Sequence, residues 1–134
     1  MKFFNVVLIV DDDEISQFLL LSRLKKHSFA KKYHTFESAR EALLFLENHK
    51  DDSDELPDLI FLDINMPEMD SWEFLEKYQS ITPSFSKSAR VCILTSSVFE
   101  KDIKRAKSHS LVDEYLIKPI KEDSLQELLK RYSA

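Results

Sequence analysis

Glycine is absent from all 134 residues, where about 7% would be usual. Every tight turn must therefore be made by Asn, Asp, Ser or Pro. Cysteine occurs once, as Cys92 inside "VCILT". It cannot form an intrachain disulfide, and its apolar neighbours predict a small buried hydrophobe in a reducing compartment. A reactive thiolate would need an electropositive, accessible setting instead. Long apolar runs are missing too, since no segment approaches the roughly 20 residues that cross a bilayer. The opening "MKFFNVVLIV" begins like a signal peptide, with a lysine and an apolar stretch, but it is short and runs into acids where small residues should follow. It reads as a strand. Excess positive charge is also lacking. A formal net charge of −5 and a pI near 5.4 argue against a surface for nucleic acid or membrane lipid, both of which reward clustered Lys and Arg. A cytoplasmic protein that meets another protein, or a small anion escorted by a metal, fits better.

What is present suffices for one domain: a length near the commonest domain size and 43% hydrophobic residues. Five short apolar or β-branched runs recur, "NVVLIV" (5–10), "KYHTF" (32–36), "DLIFL" (58–62), "RVCILT" (90–95) and "EYLI" (114–117). Helical spacing fills the intervals. "EISQFLLLSRLKK" repeats Ile15, Phe18, Leu19, Leu20 and Leu24 at three and four residues, with Asp13 placed to cap its start and Lys25 and Lys26 at its end. "SAREALLFLENH" has Ser38 as cap and a stripe of Ala42, Leu43, Phe45 and Leu46 expected to be buried. "SWEFLEKYQ", "VFEKDIKRAKSH" and "KEDSLQELLKRY" complete the series. Strict alternation of strand and helix predicts an α/β fold with parallel strands, right-handed crossovers and helices on both faces. "KDDSDELPD" (50–58) and "ITPSFSKSA" (81–89) are expected to be polar loops.

In an open parallel sheet, ligands bind beyond the carboxyl ends of the strands. Here strand one is followed by Asp11, Asp12 and Asp13, strand three by Asp63, and strand five by Lys118 and Pro119, while strand four ends in Thr95 and Ser96. Carboxylates gathered with one lysine and one hydroxyl suit a hard divalent cation and a phosphoryl group, with Asp63 the best-placed nucleophile. Each residue also has a plainer reading: three acids as a solvated turn and cap, Asp63 as the start of the "NMP" turn, Thr95 as a strand residue, Lys118 as a surface lysine. Their joint placement at four strand ends on one edge favours the site.

The pieces "VLIVDDD", "LIFLDINMP" followed by "MDSWEFL", "CILTSS" and "DEYLIKPI", in this order and spacing, make the chain resemble the receiver domain of two-component response regulators over essentially its whole length. The resemblance implies a flavodoxin-like doubly wound sheet in strand order 2-1-3-4-5 and a single receiver domain over 1–134 without an output domain. It implies that Asp63 accepts a phosphoryl group from a sensor histidine kinase or histidine phosphotransfer protein. It further implies that Mg²⁺ is held by Asp12, Asp63 and the backbone carbonyl of Asn65, with Asp11 acting through water. Thr95 and Tyr115 match the family's switch pair, and Lys118 matches its lysine, whose bond to Pro119 is cis in the family. Asp13 keeps only its capping role.

By the same resemblance the protein is not an enzyme beyond self-catalysed phosphoryl transfer and autodephosphorylation. A downstream protein would read the face of helix 4, strand 5 and helix 5, including Val98, Phe99, Lys104, Tyr115 and Lys121, with no direct contact to nucleic acid or membrane. Lys101, Lys104, Arg105 and Lys107 otherwise read as a solvated helix face. Ser71 and Asp113 stand where the family often has glycine, Asp113 in the expected turn before strand five, and Ser96 occupies a small-residue position that gates the site. His27, His34, His49 and His109 lack metal spacing and are expected at helix or strand ends. Two other readings are a receiver-like binding module that is never phosphorylated and a haloacid dehalogenase-type phosphohydrolase. The latter needs an acid two residues after its nucleophile, where this chain has Asn65.

Overall fold

The computed structural model describes residues 4–64, 71–96 and 100–132. Strands β1 (Phe4–Val10), β2 (Ala30–Phe36), β3 (Leu59–Asp63), β4 (Arg90–Thr95) and β5 (Val112–Ile117) alternate with helices α1 (Glu14–Lys26), α2 (Ala39–Asn48), α3 (Ser71–Ile81), α4 (Glu100–Ser108) and α5 (Glu122–Tyr132). All pairings are parallel and the order is β2-β1-β3-β4-β5, the flavodoxin-like arrangement expected.

The apolar runs are continuous because the central strands are covered on both sides. Alternation along each strand then divides the core in two. Leu8, Val10, Ile60, Leu62, Val91 and Ile93 pack with α2, α3 and Ala106 of α4. Val7, Ile9, Leu59, Phe61, Cys92 and Leu94 pack with Leu20 and Leu24 of α1 and Leu125 and Leu128 of α5. Each such side chain, fully buried, stabilises the fold by about 1.5–3 kcal/mol, so the sheet's carboxyl edge stands on a rigid base.

Helix α1 departs from expectation. Ile15, Phe18 and Leu19 are 72%, 68% and 54% exposed, and only Leu20 and Leu24 are buried. At 3.6 residues per turn, Gln17, Leu20, Leu21 and Leu24 share one face, and Ile15, Phe18 and Leu19 lie opposite. Two apolar faces carry the same three- and four-residue spacing, and the sheet takes the one that brings Gln17 inward. The Gln17 amide donates to the carbonyls of Asp11 (3.3 Å) and Phe36 (3.0 Å), tying the ends of β1 and β2 to the helix.

Smaller corrections follow the same logic. Phe45 is only half-buried because it meets His34, Phe36 and His49 at the margin of the core. Asp113 lies within β5 and not before it, held by Arg90 at 3.3 Å. His34 lies inside β2, bonded to Glu55 at 2.9 Å, so it is not at a strand end, whereas His27 and His49 end α1 and α2. Arg105 is not simply solvated, since its guanidinium lies 4.6 Å over the Trp72 ring. The 50–58 loop is pinned by fully buried Leu56. The start of 81–89 continues α3 and then makes a 3-10 turn over Thr82–Ser84.

Turns without glycine fall to the expected residues. Asp13 caps α1 by accepting from the Ile15 and Ser16 amides, and Ser38 caps α2 through the Glu41 amide. After α1 the chain reverses at Ser28, whose φ is 50°, the left-handed region where a Cβ costs energy. The Ser28 and Phe29 amides there donate to the Lys25 and Leu24 carbonyls, satisfying a helix end that glycine usually closes. At the same amino edge of the sheet, Asp58 accepts from the Asn5 and Val6 amides at 2.7 and 3.0 Å and pairs with Lys87 at 3.1 Å.

Two urea-denaturation outcomes follow. Ser28→Gly should raise stability by about 1 kcal/mol, the relief of a left-handed Cβ. Asp58→Ala should lower it by about 2 kcal/mol, since two amides lose a charged acceptor. A neutral Ser28→Gly would mean that the turn carries no strain.

Candidate functional site

The carboxyl edge of the sheet gathers four charged side chains. Asp11 follows β1, Asp63 ends β3 and Lys118 follows β5, all in the parity of the residues that face α1 and α5. The Lys118 ammonium lies 2.7 Å from Asp11 Oδ2 and 3.6 Å from Asp63 Oδ1. Asp11 is buried, at 3% exposure, and its other oxygen accepts from the Asp13 amide at 2.9 Å. Its backbone is clamped as well, the amide donating to the Phe36 carbonyl at 3.0 Å. Asp12 is exposed, yet one oxygen from each of Asp11, Asp12 and Asp63 lies within 4.8 Å of the others.

Three carboxylates against one ammonium leave negative charge uncompensated in a partly dry setting. Burial, set against the attraction of Lys118 and reinforced by Asp11 and Asp12, pushes the Asp63 carboxyl up from 3.8 to about 6. A hard divalent cation would relieve this charge, and an all-oxygen donor set of carboxylates is what Mg²⁺ prefers. The residues present fit it. Asn65, read as a carbonyl ligand, lies outside the described residues, as do Val98 and Phe99.

Thr95 is buried at the end of β4, and its carbonyl accepts the Lys118 amide at 2.8 Å. That bond ties the end of β4 to the segment carrying the lysine. Tyr115 is half-buried and packs against the α2–α3–α4 side of the core, and the register pairs Ile93 with Tyr115 and Thr95 with Ile117. Thr95 and Tyr115 therefore share a sheet face. The Lys118–Pro119 peptide is cis, as the family resemblance implied. Ser96 follows β4 and is exposed. The backbone of Ser71 begins α3. Cys92 is buried at mid-sheet and its thiol is pushed far up by burial, an inert hydrophobe as expected.

Sequence reasoning missed Gln17, which holds the Asp11 backbone, and Arg23, which bonds the Ile120 carbonyl just beyond the lysine. Both read as polar helix positions, and nothing in their spacing pointed to a carbonyl elsewhere in the fold.

Because folding raises the Asp63 pKa, the stability it carries is complete below about pH 4 and is lost as pH rises through about 6. Asp63→Asn, with no charge to desolvate, should be more stable than wild type above that range, the advantage fading toward about pH 4. Urea midpoints at about pH 4.5 and about pH 7.5 read this, and an equal advantage at both would reject buried charge as its cause.

Comparison with known proteins agrees with this geometry. The family model described as "Response regulator receiver domain" matches residues 7–130. The chain is 32% identical over 133 residues to Hybrid signal transduction histidine kinase L of Dictyostelium discoideum, covering 98% of this chain and 7% of that protein. It is 26% identical to Two-component response regulator ORR1 of Oryza sativa subsp. indica, covering 92% of this chain and 53% of that one. It thus spans about half, or far less, of these curated relatives. Among solved structures, a two component response regulator from Cytophaga hutchinsonii superposes with a TM-score of 0.86 at 26% identity over 97% of both chains. A response regulator receiver protein from Dyadobacter fermentans gives 0.78 at 29% identity, over 94% of this chain and 95% of that one. The fold, the acidic edge and a family match across nearly the whole length agree, and the chain belongs to the response regulator receiver domain family.

Proposed function

We propose that the protein is a phosphorylation-dependent switch in which Asp63 accepts a phosphoryl group from a histidine kinase or histidine phosphotransfer protein. The observation that carries this reading is Lys118 bridging Asp11 and Asp63 beside a third carboxylate. Mg²⁺, held by Asp12, Asp63 and the Asn65 carbonyl with Asp11 through water, would supply positive charge to the phosphoryl oxygens. An Asp63 carboxylate oxygen attacks phosphorus in line, the P–O or P–N bond to the donor breaks, and an acyl phosphate forms. Lys118 offsets charge on the transferring oxygens, and no side chain need act as general base because the nucleophile is already deprotonated above about pH 6.

The new oxygens then accept hydrogen bonds from the Thr95 hydroxyl and Lys118, drawing in the segment after β4 while Tyr115 follows. Bonds to charged groups contribute about 1.5–3 kcal/mol each, and a switch from 1:99 to 99:1 needs about 5.5 kcal/mol. Two such bonds nearly suffice. The output surface is the face of α4, β5 and α5, to which Lys104, Tyr115 and Lys121 belong. Exposed Ile15, Phe18 and Leu19, in the turns of α1 that follow the acidic pair, offer a donor protein an apolar footing beside Asp63.

Incubation with Mg²⁺ and acetyl phosphate should add one phosphoryl group to the intact mass, absent in Asp63→Ala. No adduct and no Mg²⁺ binding would instead indicate a receiver-like binding module. Thr95→Ala should still be phosphorylated yet lose most of the phosphorylation-dependent NMR shifts in α4 and β5. Shifts of wild-type size would reject the hydroxyl as the switch.

A further inference from the structure

The lysine's neighbourhood is held in an unequal way. On the sheet side, the Lys118 amide bonds the Thr95 carbonyl at 2.8 Å, and the Ile120 side chain enters the α1–α5 half of the core. On the α1 side there is a cavity of about 330 Å³, lined among others by Leu19, Arg23, Leu94, Lys118, Pro119 and Ile120. Ile120 shares its core cluster with Leu20 and Leu24 of α1, but Lys118 and Pro119 border this open pocket. Polar contacts to α1 add to the packing of Ile120. The Arg23 guanidinium donates to the Ile120 carbonyl. One turn further along α1, His27 Nε2 lies 2.6 Å from Glu122 Oε2, with Lys26 3.7 Å from the other Glu122 oxygen.

We propose that Arg23 is a positioning residue for Lys118: by tying the Ile120 carbonyl to α1 it fixes the segment that delivers the ammonium between Asp11 and Asp63. The inference rests on the phosphoacceptor reading above for its catalytic meaning. A long lysine side chain on an unbraced segment would still reach Asp11, but its ammonium would sample positions away from Asp63. Displacements near 1 Å can cost up to about 100-fold in rate, and the paired bonds at Glu122 limit the damage here. Arginine suits the task because its planar, always charged fork holds direction as well as distance.

The test is a double-mutant cycle with Mg²⁺ and acetyl phosphate at saturation. Arg23→Met should slow phosphorylation about tenfold, leave Mg²⁺ affinity and the urea midpoint near wild type, and be rescued only in part by Arg23→Lys, which restores a donor without the directional fork. In a Lys118→Ala background, Arg23→Met should slow the reaction no further, because its effect passes through the ammonium. Independently of phosphorylation, Arg23→Met should speed hydrogen exchange of the Lys118 amide more than that of amides in β1 and β3. An equal slowing in both backgrounds, or a rate and an amide that do not change, overturns the proposal. A wild type that takes no phosphoryl group while the Lys118 amide responds to Arg23→Met would overturn the phosphoacceptor reading and leave the brace intact.

Discussion

The ammonium of Lys118 between two carboxylates is the interaction on which the functional edge depends. Asp11 is buried, and an ionised acid taken out of water without a partner is strongly unfavourable. At 2.7 Å, Lys118 makes that burial tolerable, and it links the ends of β1 and β5 across β3 and β4. The same ammonium, 3.6 Å from Asp63, leaves that second acid only partly compensated. The edge is thus neither a neutral ion pair nor a set of solvated acids. It is held together and still short of positive charge, the state a site needs if it is to receive a cation and an anionic group in turn.

The sheet and its edge were readable because parallel strands write their burial into uninterrupted apolar runs, and the residue after each run falls at the edge. Asp11, Asp63 and Lys118 needed no further information to be placed together. Helix α1 was less readable. Its two apolar faces have the same periodicity, and Gln17 chose between them through two carbonyls that no local pattern announces. Arg23 is similar, a charged helix residue whose acceptor lies 97 positions away. Asp113 was placed in the turn before strand five because the apolar run begins at Glu114 and the family often has glycine at that position, but its pairing with Arg90 lets an acid sit within the edge strand β5. Position along a strand is written in the chain; a polar side chain's distant acceptor is not.

Lack of glycine shaped the connections without altering the topology. Asp13 and Ser38 start helices where a side-chain oxygen is wanted, and Ser28 accepts a left-handed backbone where no side chain helps. Among the described residues the left-handed backbone falls on Ser28, before β2 at the amino edge of the sheet, away from the charged ends of β1, β3 and β5.

The seam between α3 and α4 has a further consequence. Trp72, the sole tryptophan, lies in the first turn of α3, the helix that follows the segment after Asp63, with the Arg105 guanidinium of α4 over its ring. Any displacement of α4 relative to α3 alters the cation above that indole, and indole emission responds to nearby charge. The chain therefore carries an intrinsic optical gauge of its own α3–α4 spacing, free of any attached dye and undiluted by a second tryptophan.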